Sequence, residues 1–129
     1  MLGERLGHSY SKLIHESFGG YEYDLMPTPR DQVPDFMRKK DFRAINVTIP
    51  YKETVMPYLD TISDNARAIG SVNTIVKDET GALHGYNTDK YGFIQLVKRS
   101  GIDISGRKCI VLGSGGSSKT VRVALKELG

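Results

Sequence analysis

Cysteine is almost absent: Cys109 stands alone among 129 residues, so no internal disulfide can form. That excludes the disulfide framework of small secreted domains. No stretch approaches the roughly 18 consecutive apolar residues that a membrane-spanning helix needs. No basic, apolar, small-residue leader of the secretory kind opens the chain. Together these absences make cytoplasm the expected compartment. Repeats and low-complexity tracts are also missing. So is any large block of one charge: the net charge is +3, and the cations are scattered apart from Arg38, Lys39 and Lys40. A cluster of that kind suits a helix C-terminus, where cations meet the negative end of the dipole. It does not make a nucleic-acid face, and neither nucleic acid nor membrane is an expected partner. The spacing of His8, His15 and His84 suggests no metal site. What is present is an ordinary globular composition, 39% hydrophobic, in a chain long enough for one domain with a real core but not comfortably for two.

Strand-like and helix-like segments alternate along the chain. Ser9 is placed to cap a helix through Phe18, which Gly19 and Gly20 stop. A strand is expected from Tyr21 to Pro27. A helix follows over "RDQVPDFMRKK", with Val33, Phe36 and Met37 on one face. "FRAINVTIP" reads as a buried strand ending at Pro50, followed by a helical segment through Leu59. Ser63 or Asp64 caps the next helix and Gly70 stops it. "SVNTIVK" and "ALHGYN" around "DETG" form a hairpin signal. Thr88 or Asp89 opens a long helix through Arg99 with an apolar face of Phe93, Ile94, Leu96 and Val97. "RKCIVLG" has the composition of a parallel-sheet strand, and "SSKTVRVALKELG" begins another helix. The alternation predicts an α/β fold, a mostly parallel open sheet flanked by helices. A boundary is expected near "SGIDISGRK", with residues 1–100 as one domain and 101–129 as a linker plus the first βα unit of a second.

The stretch "VLGSGGSSKT" resembles the start of a nucleotide-binding site. As a P-loop, G-x-x-x-x-G-K-[ST], Gly113, Lys119 and Thr120 fit, but Ser118 replaces the second glycine. As a dinucleotide turn, G-x-G-x-x-G, Gly113 and Gly115 fit, Gly116 is additional and Ser118 replaces the last glycine. That last glycine mainly permits close packing, so a small residue can substitute. A pyrophosphate would then meet the N–H groups near Ser114 to Ser117 at the helix N-terminus. A glycine-rich connection with no ligand is the third reading. The position that selects NAD or NADP lies roughly 20 residues past such a turn, beyond Gly129.

Three further stretches carry polar groups at strand ends and helix starts. In "GHSYSKLIH", Ser9 and Ser11 bracket a helix start, as caps or as ligands for a carboxylate or polyol. In "NVTIPYK", Asn46 and Thr48 share one strand face, with Val47 and Ile49 expected opposite. Lys52 follows, as a surface charge or as a proton donor. In "GSVNT" and "HGYNTD", Asn73 and Asp89 flank the hairpin, and Asp89 could simply cap a helix. Ligands of open α/β sheets bind outside the carboxyl ends of the strands. A polyhydroxylated substrate would need such a set of donors and acceptors.

"GHSYS", "NVTIPYK", "GSVNT", "GYNTD" and "LGSGGSS" occur in the order and at the spacing of the shikimate dehydrogenase family. The chain resembles that family's amino-terminal substrate domain followed by the first βα unit of its Rossmann-type NADP-binding domain. The resemblance implies reversible NADPH-dependent reduction of 3-dehydroshikimate to shikimate in aromatic amino-acid biosynthesis. It implies that Ser9 and Ser11 hold the substrate carboxylate and that Asn46, Thr48, Asn73 and Asp89 bind the ring hydroxyls. Lys52 and Asp89 would be the catalytic pair. Lys52 would exchange a proton with the C3 oxygen, and Asp89 would orient Lys52 and favour its charged form. Gly113, Ser114, Gly115, Gly116 and Ser117 would hold NADP, in a site these residues begin but do not complete. A monomer or homodimer is expected, and the chain alone is not expected to turn over. The alternative is a non-catalytic binding module for shikimate- or quinate-like acids. Lys12 departs from the family, which usually has proline there, and would add a charge near the carboxylate site.

Overall fold

The computed structural model describes residues 1–129. It is an α/β fold with one small parallel sheet and one mixed sheet. β1 (Leu2–Gly3) pairs in parallel with β2 (Met26–Pro27). The larger sheet has the order β3 (Ala44–Asn46), β5 (Thr74–Lys77), β6 (Leu83–Tyr86), β4 (Thr61–Ile62). β5 runs antiparallel to both β3 and β6, β4 runs parallel to β6, and a parallel bridge from Leu2 to Val47 joins the two sheets. The helices are α1 (Ser11–Ser17), α2 (Val33–Lys39), α3 (Asp64–Ile69), α4 (Asp89–Ser100) and α5 (Gly116–Leu128).

Local chemistry explains most of the boundaries. Ser63 Oγ accepts from Ala66 N–H to cap α3, and Gly70 ends that helix at φ 71°, where a side chain would be strained. Gly101 ends α4 at φ 70°. The hairpin turn between β5 and β6 is held by Asp78 Oδ1, which accepts from Thr80 N–H at 2.8 Å and Ala82 N–H at 3.0 Å. A single core fills the space between sheet and helices, built from Leu2, Val33, Met37, Ile45, Val47, Tyr51, Val55, Ala66, Val72, Ile75 and Leu83. α4 and α5 pack on each other, and α5 also touches α3.

Several expectations are corrected. The strand over Tyr21–Pro27 shrinks to Met26–Pro27, because β1 offers only two residues to pair with. The helical segment expected through Leu59 is a run of turns ending in a short 3-10 helix, Met56–Tyr58. Val47 is buried but Ile49 is 70% exposed, so the expected apolar pair is split. The chain leaves the strand there: Tyr51 N–H bonds back to Thr48 C=O, and the alternation of a strand ends. In α4 Phe93, Ile94 and Val97 turn inward, while Leu96 is exposed. The strand expected over 107–113 does not form, and Ile110 and Leu112 are 79% and 93% exposed. A strand needs a hydrogen-bonding neighbour, and no strand of this chain lies beside that segment.

Candidate functional site

The sheet brings the sequence-predicted polar residues to one end. β3 lies against β5 with Asn46 opposite Thr74, and Thr74 in turn lies opposite Tyr86 at the end of β6. Val47 N–H bonds to Asn73 C=O and Val72 N–H to Lys52 C=O, each at 2.8 Å, so the loop carrying Lys52 is pinned to the start of β5. Between these segments is a cavity of about 220 Å³ lined by Ser11, His15, Asn46, Thr48, Lys52, Asn73 and Asp89, with Met1 and Val47. Ser9 lines an adjoining hollow that shares Met1, Ser11 and Thr48.

At the base of the cavity, Lys52 Nζ donates to Asp89 Oδ2 at 2.5 Å. The lysine side chain is 13% exposed and the aspartate 37%, so the pair is shielded but still reachable. Asp89 is the first residue of α4, where a carboxylate gains from the positive end of the helix dipole. Its other oxygen accepts from Asn73 Nδ2 at 2.8 Å, and its N–H donates to Asn87 Oδ1 at 3.1 Å. A lysine held in this way can deliver a proton to an oxygen placed in the cavity, with the carboxylate fixing its position.

Asn73 is fully engaged. Its Nδ2 donates to Asp89 Oδ1 and Thr88 Oγ1, and its Oδ1 accepts from Thr74 Oγ1 and Thr88 N–H. Those bonds use the two donors and two acceptor positions of an amide. In this arrangement Asn73 lines the cavity mainly as the residue that orients Asp89. Sequence reasoning named Thr88 only as a possible helix start and did not single out Thr74 or Asn87, although all three lie inside the quoted "GSVNT" and "GYNTD". It also missed Tyr23, whose hydroxyl donates to Asn46 Oδ1 at 2.7 Å, and His15, whose ring stacks on Tyr23 at 4.1 Å. His15 lies one helical turn after Ser11 on α1, so helical spacing alone could have placed it beside the cavity. Tyr23 is 23 residues from Asn46, and no local pattern could reveal it. Burial pushes the Tyr23 phenol up, and the nearby Ser11 hydroxyl partly opposes that rise.

At α1, Ser9 Oγ accepts from Ser11 N–H at 3.2 Å, so Ser9 acts on the helix start as expected, although the helix begins at Ser11. Lys12 turns away from the cavity. Its Nζ bonds to Glu16 at 2.7 Å and Tyr23 C=O at 2.7 Å, with Asp24 at 3.6 Å. Those acceptors hold its pKa above the ordinary lysine value, the Glu16 hydrogen bond contributing most.

The glycine turn leads into α5. Gly113 has φ 118°, a conformation that favours glycine. Gly115 caps α5 without a side chain, and no protein acceptor meets the N–H groups of Gly116 or Ser117. A Cβ at Gly116 would lie 3.1 Å from Ser71 Oγ and 3.8 Å from Lys52 Cβ, so the turn packs directly on the Lys52 segment. Lys119, the lysine of the P-loop reading, pairs with Glu53 at 2.8 Å.

Residues 1–75 match the family model described as the shikimate dehydrogenase substrate binding domain. A curated relative from Caldanaerobacter subterraneus subsp. tengcongensis, named shikimate dehydrogenase (NADP(+)), is 41% identical over all of this chain and 49% of its own length. Shikimate dehydrogenase 1 from Peptoclostridium difficile superposes with a TM-score of 0.95 at 36% identity, over 99% of this chain and 50% of that one. The Thermus thermophilus enzyme, solved in complex with NADP(H) and shikimate, gives a TM-score of 0.88 at 38% identity, over 99% of this chain and 51% of that one. The chain therefore spans about half the length of the relatives it matches. With the family model covering more than half of its residues, the chain belongs to the shikimate dehydrogenase substrate-binding-domain family.

Proposed function

We propose that this chain forms the substrate side of a shikimate dehydrogenase, which reversibly reduces 3-dehydroshikimate to shikimate with NADPH. One observation carries this reading: the Lys52–Asp89 pair at the base of a cavity walled by hydroxyls and amides. Ser9 and Ser11 would take the substrate carboxylate. Asn46 and Thr48 would meet the ring hydroxyls, with Asn73 holding Asp89 in place. Residues 1–100 would form the substrate unit, and 101–129 the first part of a nucleotide unit.

Lys52 would donate its proton to the C3 oxygen as that carbon is reduced, and would carry positive charge beside the oxygen as negative charge develops there. Asp89 would keep Lys52 within reach of that oxygen, and the neutralised lysine would regain a proton from solvent. Gly113, Ser114, Gly115, Gly116 and Ser117 fit a phosphate, because the N–H groups of Gly116 and Ser117 have no protein acceptor at a helix start without a side-chain cap. A nicotinamide cofactor bound there would supply the hydride. The packing of Gly116 against the Lys52 segment supports that placement. Cytoplasm is the compartment that fits this chemistry, and no helix of the chain is long and apolar enough to cross a membrane.

Calorimetric titration with shikimate tests the reading. Saturable binding is expected, weakened at least tenfold in Lys52→Ala. Equal binding by the wild type and Lys52→Ala would count against Lys52 as a site residue. ATP binding that shikimate leaves unchanged and Lys119→Ala abolishes would replace the reading with a phosphate-binding loop.

A further inference from the structure

The polar side chains of the cavity form one directed chain of hydrogen bonds, and its polarity can be deduced from its end. Asp89 pairs with Lys52, so it is ionised and can only accept. Asn73 must therefore turn Nδ2 toward Asp89, which places its Oδ1 against Thr74. Thr74 spends its single proton on that oxygen, at 3.0 Å, and can then only accept from its other neighbour. Asn46 must accordingly turn Nδ2 toward Thr74 Oγ1, at 3.3 Å, which leaves its Oδ1 facing Tyr23. The chain closes only because Tyr23 donates its hydroxyl proton to that oxygen at 2.7 Å.

We propose that Tyr23 is a positioning residue of the cavity: its hydroxyl fixes the Asn46 amide so that a bound hydroxy acid meets an N–H donor there. The inference rests on the substrate reading above for the ligand, but not for the orientation of the amide. Tyr23 is 8% exposed, and the His15 ring lies nearly parallel to it, with 14° between the planes, so the phenol has little freedom to leave. One Asn46 Nδ2 proton is used by Thr74 and the other is free for a ligand oxygen. Without the Tyr23 proton, Asn46 Oδ1 loses its partner and the amide loses the contact that opposes rotation.

The test is Tyr23→Phe, which keeps the ring and its stack on His15. Two readouts are taken on wild type and variant: the Asn46 side-chain amide resonances without ligand, and the dissociation constant for shikimate. The expected result is a displaced or broadened Asn46 amide pair and a dissociation constant raised about 2- to 10-fold, the effect of one lost neutral hydrogen bond. Unchanged amide resonances would overturn the inference whatever the affinity. A displaced amide with unchanged affinity would overturn the positioning role. If the wild type does not bind shikimate, the functional reading fails, and the amide comparison alone decides whether Tyr23 fixes Asn46. Should Tyr23→Phe not fold, Thr74→Val interrupts the same chain one link further on and must displace the same Asn46 resonances.

Discussion

Asn87 joins the segment before β5 to the start of α4, and its replacement by alanine has a calculable cost. Its Nδ2 donates to Ser71 C=O at 2.9 Å, a buried bond that ties the end of the hairpin to the segment before β5. Its Oδ1 accepts from Asp89 N–H at the start of α4. Asn87 is itself 6% exposed. Asn87→Ala leaves the Ser71 carbonyl buried without a partner, a penalty of about 1–3 kcal/mol. It also removes a side-chain acceptor from the first turn of α4, worth about 1 kcal/mol. The expected loss is therefore roughly 2–4 kcal/mol. In urea denaturation it appears as a lower midpoint with an unchanged slope. In a thermal melt it appears as a fall of several degrees per kcal/mol. A loss below about 0.5 kcal/mol would refute the reasoning, because it would mean that water reaches Ser71 C=O and the bond holds nothing in place.

The other predictions follow from single features. Ser71 Oγ is buried with no hydrogen-bond partner, so Ser71→Ala should raise stability by about 1 kcal/mol in the same denaturation assay; a loss would mean that the hydroxyl has a role the structure does not display. Ile75 is fully buried on β5, the strand between β3 and β6, so Ile75→Ala should cost about 2–5 kcal/mol. The carboxyl of Asp78 is held well below the ordinary carboxylate range, first by its hydrogen bond with His84 and then by Thr80. A depressed folded-state pKa contributes stability above the unfolded pKa and loses it as pH falls through the folded value. Stability should therefore decline in acid below about pH 4, and Asp78→Asn should reduce that decline; an identical acid profile in the variant would contradict the assignment.

Much of the fold is legible in the sequence where the cause is local. The Ser63 cap and Gly70 stop of α3, the hairpin around Asp78–Gly81 and the start of α4 at Asp89 all follow from residues within a few positions of one another. The cavity is legible for a different reason: strand ends and helix starts fall at one edge of the sheet, so Ser11, Asn46, Thr48, Lys52, Asn73 and Asp89 meet there. The failures share a cause as well. Ile110 and Leu112 have strand character, but a strand depends on a neighbour that no window around residues 107–113 contains. Ile49 keeps the alternation in sequence but lies past the point where the chain turns at Thr48–Tyr51. Tyr23 reaches Asn46 across 23 residues, and that pairing depends on how β1, β2 and α1 come together. The direction of Lys12 is legible only in part: its i,i+4 partner Glu16 is local, whereas the Tyr23 carbonyl it also meets is brought near by the fold.

The most direct test of the central claim is an NMR titration of the chain with shikimate, with Lys52→Ala as the control. The account predicts saturable shifts concentrated at Ser9, Ser11, Asn46, Thr48, Asn73 and Asp89, and their loss or marked weakening in the variant. A well-folded wild-type chain that shows no saturable shifts at these residues, or shifts that Lys52→Ala leaves unaltered, would contradict it.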